Sequence, residues 1–406
     1  MRILYLSSYY KPAFVYGGVV TAVAALCESL VKLGVKLTVL TTNANGEQCL
    51  DVPLGQPVVV DGVTVYYYPV VKGLPRTFFY SPDLAHAIDG MVGDCDLVVL
   101  DTFYTHPTGA AVRACLRTHT PYIVPLHGAL LPWSLRQKSF KKQLYMFLLG
   151  RRYLNQAAAL QCSDPVESTA LKNMRLKAPF FVVPYGLDLA QWEKLPLRGT
   201  LRRQLDISET DRVLLMLGRL HRVKNPELAV DMLGLLQRAD IHLVFVGPDE
   251  EGYGSILEPR AAALGCADRI HFTGLLTGEA ILNAMADADL LVMPSVMESF
   301  GMAAIEAMVS GLPVLLSEYV PVGRWVEEAG AGRQVACTPE AFAVACQEML
   351  DDDHTLKEMG RRARILATQR FDGSMVAKQM LAQYQAIVSY GQPLLNVHVQ
   401  PTRGQL

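Results

Sequence analysis

Short apolar runs alternate with glycine-bearing loops and longer amphipathic stretches along most of the chain. RILYLSS at the start is an apolar run that stops at small polar residues, the pattern of a buried strand. In YYKPAFVYGGVVTAVAALCESLVKLG, a loop with paired Gly17-Gly18 leads into apolar positions at three- and four-residue steps, which predicts a helix ended by Gly34. VKLTVLTT is the next strand. Strand, glycine loop, helix and strand form a βαβ unit and imply a parallel sheet. DLVVLD at 96–101 and YIVPLH at 122–127 continue the alternation.

The pattern then restarts. Residues 184–211 are rich in proline, glycine and charge and read as a connection. RVLLMLGRL (212–220), IHLVFVG (241–247), RIHFTG (269–274), DLLVMPS (289–295) and LPVLLS (312–317) follow, with helical stretches between most of them. The expected fold class is therefore α/β, with two Rossmann-like, doubly wound parallel-sheet domains facing a cleft. Their expected bounds are 1–190 and 191–372. The 406 residues exceed what one core usually organises, which agrees with two domains. A helix is predicted near 374–390, and its periodicity leaves open whether it packs back on the first domain.

In open α/β sheets, ligands bind outside the carboxyl ends of the strands. Four features lie at such ends: Gly17-Gly18, His127, Gly218-Arg219, and the glutamates of ESFGMAAIE, Glu298 and Glu306. Were the last stretch wholly helical, its glutamates would sit about 80° apart around the axis. The preceding Pro294-Ser295 instead place Glu298 in a loop and Glu306 one turn inside a helix that begins near Gly301. The amides of Phe300, Gly301, Met302 and Ala303 would then form an anion site with the helix dipole. A capping glutamate plus an exposed one is the plainer alternative. Arg219 and Lys224 suit a diphosphate, one as a planar fork and one as a point charge, or else belong to a solvated loop. His127 is a candidate donor to a sugar hydroxyl, or an ordinary strand-end histidine. Gly17-Gly18 lacks the third glycine of a dinucleotide fingerprint, and no acidic residue ends VKLTVLTT, which argues against a nicotinamide site.

Composition narrows the partners. The net charge of −2 gives no pull toward nucleic acid. The eight cysteines form no C-x-x-C pair and read as thiols of a reducing compartment. With no signal-peptide pattern and no apolar run of eighteen residues, a cytoplasmic protein is expected. Asp94-Cys95-Asp96 and Asp287-Ala288-Asp289 resemble metal motifs but precede strands, at the edge away from the ligand side. They read as turn carboxylates. Arg219 and Lys224 take the cation role, and no metal or other cofactor is expected.

GRLHRVKN, followed by PSVMESFGMAAIEAMVSGLPVLLS, resembles the retaining glycosyltransferases of family 4, which have the GT-B fold. The likeness extends to the GG loop, His127-Gly128, VPYGLD at 183–188 and the FVG and FTG turns. It implies transfer of a hexosyl unit from a nucleotide sugar, UDP-glucose first, with other UDP-sugars and GDP-mannose behind. By the same resemblance, Arg219 and Lys224 would hold the diphosphate and Glu306 the ribose. Glu298, Ser299 and the amides of Phe300, Gly301 and Met302 would bind sugar hydroxyls and phosphates. His127 would bond the sugar, Gly17 and Gly18 would approach donor and acceptor, and Leu275 would line the base pocket. Tyr185 departs from the asparagine usual in that turn. A nucleotide-sugar 2-epimerase and a non-catalytic partner of the same fold are the competing readings.

Between Asp101 and Asp164 there is no acidic residue, while Arg136, Lys138, Lys141, Lys142, Arg151 and Arg152 fall there. Phe140, Leu144, Phe147 and Leu148 form one helical stripe beside them. Residues 136–152 could rest on an anionic membrane and meet a lipid-linked acceptor, or form a core-packed helix with a solvated basic flank. HG…PW…KK also resembles transferases that build bacterial exopolysaccharide or capsule, so a saccharide or lipid-linked saccharide is the implied acceptor.

Overall fold

The computed structural model describes all residues except 72, 74, 132, 133, 136–138, 193, 250, 251 and 395–406, and describes only the backbone of residues 76, 139 and 141. Arg136 and Lys138 of the basic segment thus lie outside the described residues, as does the side chain of Lys141. The chain divides into two units. The first combines Met1–Gly186 with the chain from Gly373 onward, and the second is Leu187–Asp372.

The first unit is built on β1 (Arg2–Leu6), β2 (Lys36–Thr42), β3 (Pro57–Val60), β4 (Val63–Tyr68), β5 (Leu97–Leu100), β6 (Tyr122–Pro125), β7 (Ala159–Cys162) and β8 (Phe180–Val182). Their order across the sheet is β8-β7-β6-β5-β1-β2-β4-β3. The expectation of a wholly parallel sheet needs one correction, since β3 pairs antiparallel with β4. Asp61-Gly62 joins them, both residues at positive φ (47° and 84°), as a tight two-residue hairpin requires.

The helix Gly373–Tyr390 belongs to this unit's core. Its Val376, Ala377, Met380, Tyr384 and Ile387 share a buried cluster with Cys27 and Leu30 of the helix Gly18–Lys32. The chain's last described helix therefore closes over its first.

The second unit carries β9 (Arg212–Leu217), β10 (Ile241–Val246), β11 (Ile270–Gly274), β12 (Leu290–Met293), β13 (Val314–Ser317) and β14 (Gly332–Val335). All pair in parallel, in the order β11-β10-β9-β12-β13-β14. Its central strands β9, β12 and β13 are nearly continuous apolar runs, as a parallel sheet covered on both faces requires. At the carboxyl edge the backbones of β9 and β10 converge, and a Cβ on Gly247 would lie 2.0 Å from the Gly218 carbonyl oxygen. Only glycine lets these two strand ends meet.

At the opposite edge, Asp287 accepts the amides of Leu201 (2.6 Å) and Arg202 (3.1 Å). Asp289 pairs with the buried Arg202 guanidinium and with Arg198, each at 2.8 Å, and accepts the Val213 amide at 2.8 Å. These carboxylates tie the amino edge of the sheet to the preceding helix Thr200–Gln204. In the first unit Asp96 accepts the Arg2 amide at 2.7 Å in the same manner. Among the described residues, no helix is long and apolar enough to cross a membrane.

Candidate active site

In the second unit, two loops at the carboxyl edge are laced together. The Val296 amide donates to the Val223 carbonyl (2.9 Å), and Asn225 Nδ2 donates to the Pro294 carbonyl (3.3 Å). This fixes the loop after β9 against the loop after β12 and brings Lys224 to Glu298. Their side chains form an ion pair with little exposure, 25% for the lysine and 11% for the glutamate. Ser295 Oγ donates to the same Glu298 oxygen at 2.8 Å. The Lys224 stem runs alongside Gly218, where a Cβ would stand 3.3 Å from Lys224 Cε.

The helix Met302–Val309 starts where the sequence placed it, with Gly301 as its N-cap at φ 108°. A Cβ on Gly301 would lie 2.9 Å from Val320 Cγ1 and 3.2 Å from Val322 Cγ2. Packing against these valines therefore requires glycine here, independently of any phosphate. Phe300 is fully buried against Trp325 and Phe371, with ring centroids 6.0 and 5.8 Å away, so only its backbone can face a ligand. That anchor holds the first turn of the helix rigid.

Glu306 sits one turn into this helix and is partly buried. Burial pushes its carboxyl up to about 7, with Lys224 pulling it the other way. Lys224 thus acts on both glutamates. Arg219 stands exposed at the head of the same loop, Ser299 and Met302 are partly exposed, and Leu275 is exposed just past β11.

The first unit builds a second polar centre. Asp101, at the end of β5, is buried and accepts from Tyr5 Oη and Ser7 Oγ, each at 2.9 Å. It also faces His127 Nε2 at 2.6 Å, which places a proton on that nitrogen. His127 Nδ1 meets the Tyr185 hydroxyl. Both ring nitrogens are thus engaged inside this unit, and a sugar hydroxyl would have to replace one of these partners. Burial alone would push the imidazole pKa down, but the Asp101 carboxylate, with Glu167 behind it, outweighs burial and holds it above its ordinary value. Glu167 is buried and binds the Gly128 amide and the Ser163 amide (2.7 Å), which fixes the turn carrying His127 at φ 48°.

Tyr185, the departure in the VPYGLD turn, therefore supplies a polar contact of its own. Tyr185→Phe is expected to lower stability by about 1 kcal/mol, since it leaves Nδ1 without this partner. Urea denaturation midpoints at neutral pH test this. Gly17 caps the helix Gly18–Lys32 at φ 86°, and a Cβ there would meet nothing within 4 Å. Its glycine is demanded by the backbone angle, and the space beside it is open. Asp101 and Ser295 were not singled out as site residues in the sequence, and Tyr185 only as a departure from the usual asparagine. The strand-end rule that selects His127 applies equally to Asp101, the last residue of DLVVLD.

Residues 198–366 match the family described as glycosyl transferases group 1, and residues 16–191 match glycosyltransferase family 4. The chain belongs to the group 1, family 4 glycosyltransferases. It is 30% identical to D-inositol 3-phosphate glycosyltransferase of Nocardia farcinica over 50% of this chain, a match spanning 47% of that relative's length. The enzyme of the same name from Paenarthrobacter aurescens is 24% identical, over 92% of this chain and 94% of the relative. Among solved structures, Anabaena HepE in complex with UDP and glucose superposes with a TM-score of 0.75 at 20% identity, covering 95% of this chain and 100% of that one. The fold of this transferase is thus GT-B.

Proposed function

We propose that the chain is a metal-independent, retaining hexosyltransferase that takes a hexosyl unit from a nucleotide sugar, UDP-glucose first. The acceptor is a saccharide or lipid-linked saccharide, in exopolysaccharide or related glycoconjugate assembly. The observation that carries this reading is the Lys224–Glu298 ion pair beside Glu306 at the start of the helix Met302–Val309. HepE, of the same fold, is described in complex with UDP-glucose, which agrees with the choice of donor.

In the proposed reaction these residues take the following roles. The acceptor oxygen bonds to the anomeric carbon on the face from which the phosphate leaves. The carbon–oxygen bond to phosphate breaks with its electron pair going to the nucleoside diphosphate, and the acceptor proton passes to that leaving oxygen. Lys224, Arg219 and the first helix amides stabilise the charge that develops there. Glu306 binds the ribose hydroxyls and Glu298 the sugar hydroxyls, so neither acts as a nucleophile. Lys224 and Arg219 fill the role that a divalent cation would otherwise take. His127 is assigned to bond the sugar, Gly17 and Gly18 to approach donor and acceptor, and Leu275 to line the base. The same reading has the protein act in the cytoplasm, peripheral at the inner face of the membrane, with residues 136–152 as the contact.

A melting-temperature screen of nucleotide sugars tests the donor. A true donor at a hundred times its Kd stabilises the protein by about 2.7 kcal/mol. A UDP-sugar is expected to give the largest rise, and no rise with any nucleotide sugar would sink the reading. Incubation with the best donor alone, followed by NMR of the sugar, separates transfer from 2-epimerisation. The anomeric configuration of the product reports retention.

A further inference from the structure

The stretch after Ser139 turns its largest apolar side chains to solvent. Phe140 is 77% exposed, Leu144 46%, Phe147 85%, Leu148 59% and Leu149 43%. The opposite side is well anchored, so this is not a loosely packed helix. Tyr145 and Met146 pack on the core of the first unit, and Tyr153 and Leu154 are buried in it. Tyr145 lies edge-on to Phe103 and Tyr104, with centroids 5.7 and 5.5 Å away. Met146–Gly150 form a π-helical turn, which rotates less per residue than an α-helix. That turn lets the consecutive Phe147, Leu148 and Leu149 all face outward. The stripe that the sequence allowed to be either core or surface is surface, and a contiguous apolar patch of this kind marks an interaction site.

Charge identifies the partner. From residue 102 to residue 187 the only acidic residues are Asp164 and Glu167, and both are buried. Both accept backbone amides, Asp164 from Val166 (2.6 Å) and Glu167 from Ser163 (2.7 Å). This stretch therefore presents no carboxylate to solvent. Arg151, Arg152, Lys172, Arg175 and Lys177 are all exposed. Although some twenty residues separate the two groups, hydrogen bonds stitch them together. Arg151 Nη2 donates to the Arg175 carbonyl at 3.2 Å, and the Lys177 amide donates to Asn155 Oδ1 at 2.7 Å. Lys142, by contrast, turns inward to the Ser134 carbonyl (2.6 Å) and over the Tyr104 ring, so the cationic band is not formed by that lysine.

We infer that this face docks on an anionic lipid bilayer. Phe140, Leu144, Phe147 and Leu148 enter the boundary between headgroups and acyl chains, and Arg151, Arg152, Lys172, Arg175 and Lys177 lie over anionic headgroups. A two-fold contact with a second copy is disfavoured, because an isologous interface would oppose identical cationic bands. The inference deepens the peripheral location given in the proposed function and rests on it only for the place of action. Three of its five cations lie outside residues 136–152.

The test is co-sedimentation of the full chain with vesicles of phosphatidylcholine alone, or with 30 mol% phosphatidylglycerol added, in low and high salt. One cation over an anionic surface raises partitioning about fivefold, so binding to the anionic vesicles is expected to exceed neutral ones at least about tenfold and to fall with salt. The double variant Phe147→Ser/Leu148→Ser is expected to lose binding about tenfold or more, and so is Arg151→Glu/Arg175→Glu. Both should keep the melting temperature and the stabilisation by UDP of the parent protein, which separates this inference from the donor assignment. Equal binding to neutral and anionic vesicles, or undiminished binding by either variant, would overturn it. So would a dimer in sedimentation velocity that Phe147→Ser/Leu148→Ser dissociates.

Discussion

Lys224→Ala is expected to lower turnover by at least about a hundredfold while the protein remains folded. Removing one group that stabilises a developing anion typically slows such reactions by about 10²–10³. Lys224 is held in place at both its stem and its ammonium. Its stem lies against Gly218, and its ammonium is paired with Glu298, which Ser295 also holds. The fold survives because the lysine is partly exposed and Glu298 keeps the Ser295 hydroxyl at 2.8 Å. A loss of stability of about 1–3 kcal/mol is expected from the glutamate left without its counter-ion. Nucleoside diphosphate release at saturating donor, with circular dichroism as the control, measures both effects. A kcat within threefold of the parent would sink the phosphate assignment. The charge set is coupled, since Lys224 also lowers the Glu306 pKa. Its removal must push that carboxyl further up.

What the sequence could and could not show divides along physical lines. Buried parallel strands are continuous apolar runs, so β1, β2, β5, β6 and the first five strands of the second unit could be read directly. The β3–β4 hairpin was legible too, because Val-Asp-Gly-Val carries a standard turn signal, and it was passed over. Strands β7 and β14 were not, because Ala-Leu-Gln-Cys and Gly-Arg-Gln-Val interrupt the apolar run with polar residues, and the three residues of β8 are too few to show a pattern. Glu298 and Glu306 were singled out by position. Their partners depended on loops some seventy residues apart meeting, which no local pattern reveals. Tyr185 likewise gains its meaning only when a distant strand end delivers His127. The stripe at 140–148 shows the limit most plainly. Periodicity says that Phe140, Leu144, Phe147 and Leu148 share a face, but only packing on the opposite side, through Tyr145 and Leu154, decides that this face looks outward.

Glu306→Gln is expected to flatten a pH dependence of nucleotide binding that the parent protein shows. Burial pushes the Glu306 carboxyl up to about 7, so the group is mostly protonated at pH 6 and mostly ionised at pH 8. Bound to the ribose, the ionised form accepts from both hydroxyls, whereas the acid loses part of that capacity. Parent affinity for UDP should therefore rise by about tenfold between pH 6 and pH 8, the size of one charge-assisted hydrogen bond. Ionisation of the UDP phosphate contributes equally to both proteins and cancels in the comparison. Stability without ligand should move in the opposite direction. A carboxyl raised from 4.5 to about 7 keeps its proton in the folded state after the unfolded chain has lost it. Unfolding free energy from this group then falls as pH climbs from about 4.5 to about 7, by up to roughly 3 kcal/mol, and does not recover above. The glutamine variant should lack that decline. Titration calorimetry with UDP and melting temperatures across the same pH range separate the two slopes. Parallel profiles for parent and variant in both measurements would remove Glu306 from the ribose. A stability difference alone, with identical binding profiles, would leave it a buried carboxyl that the donor never meets.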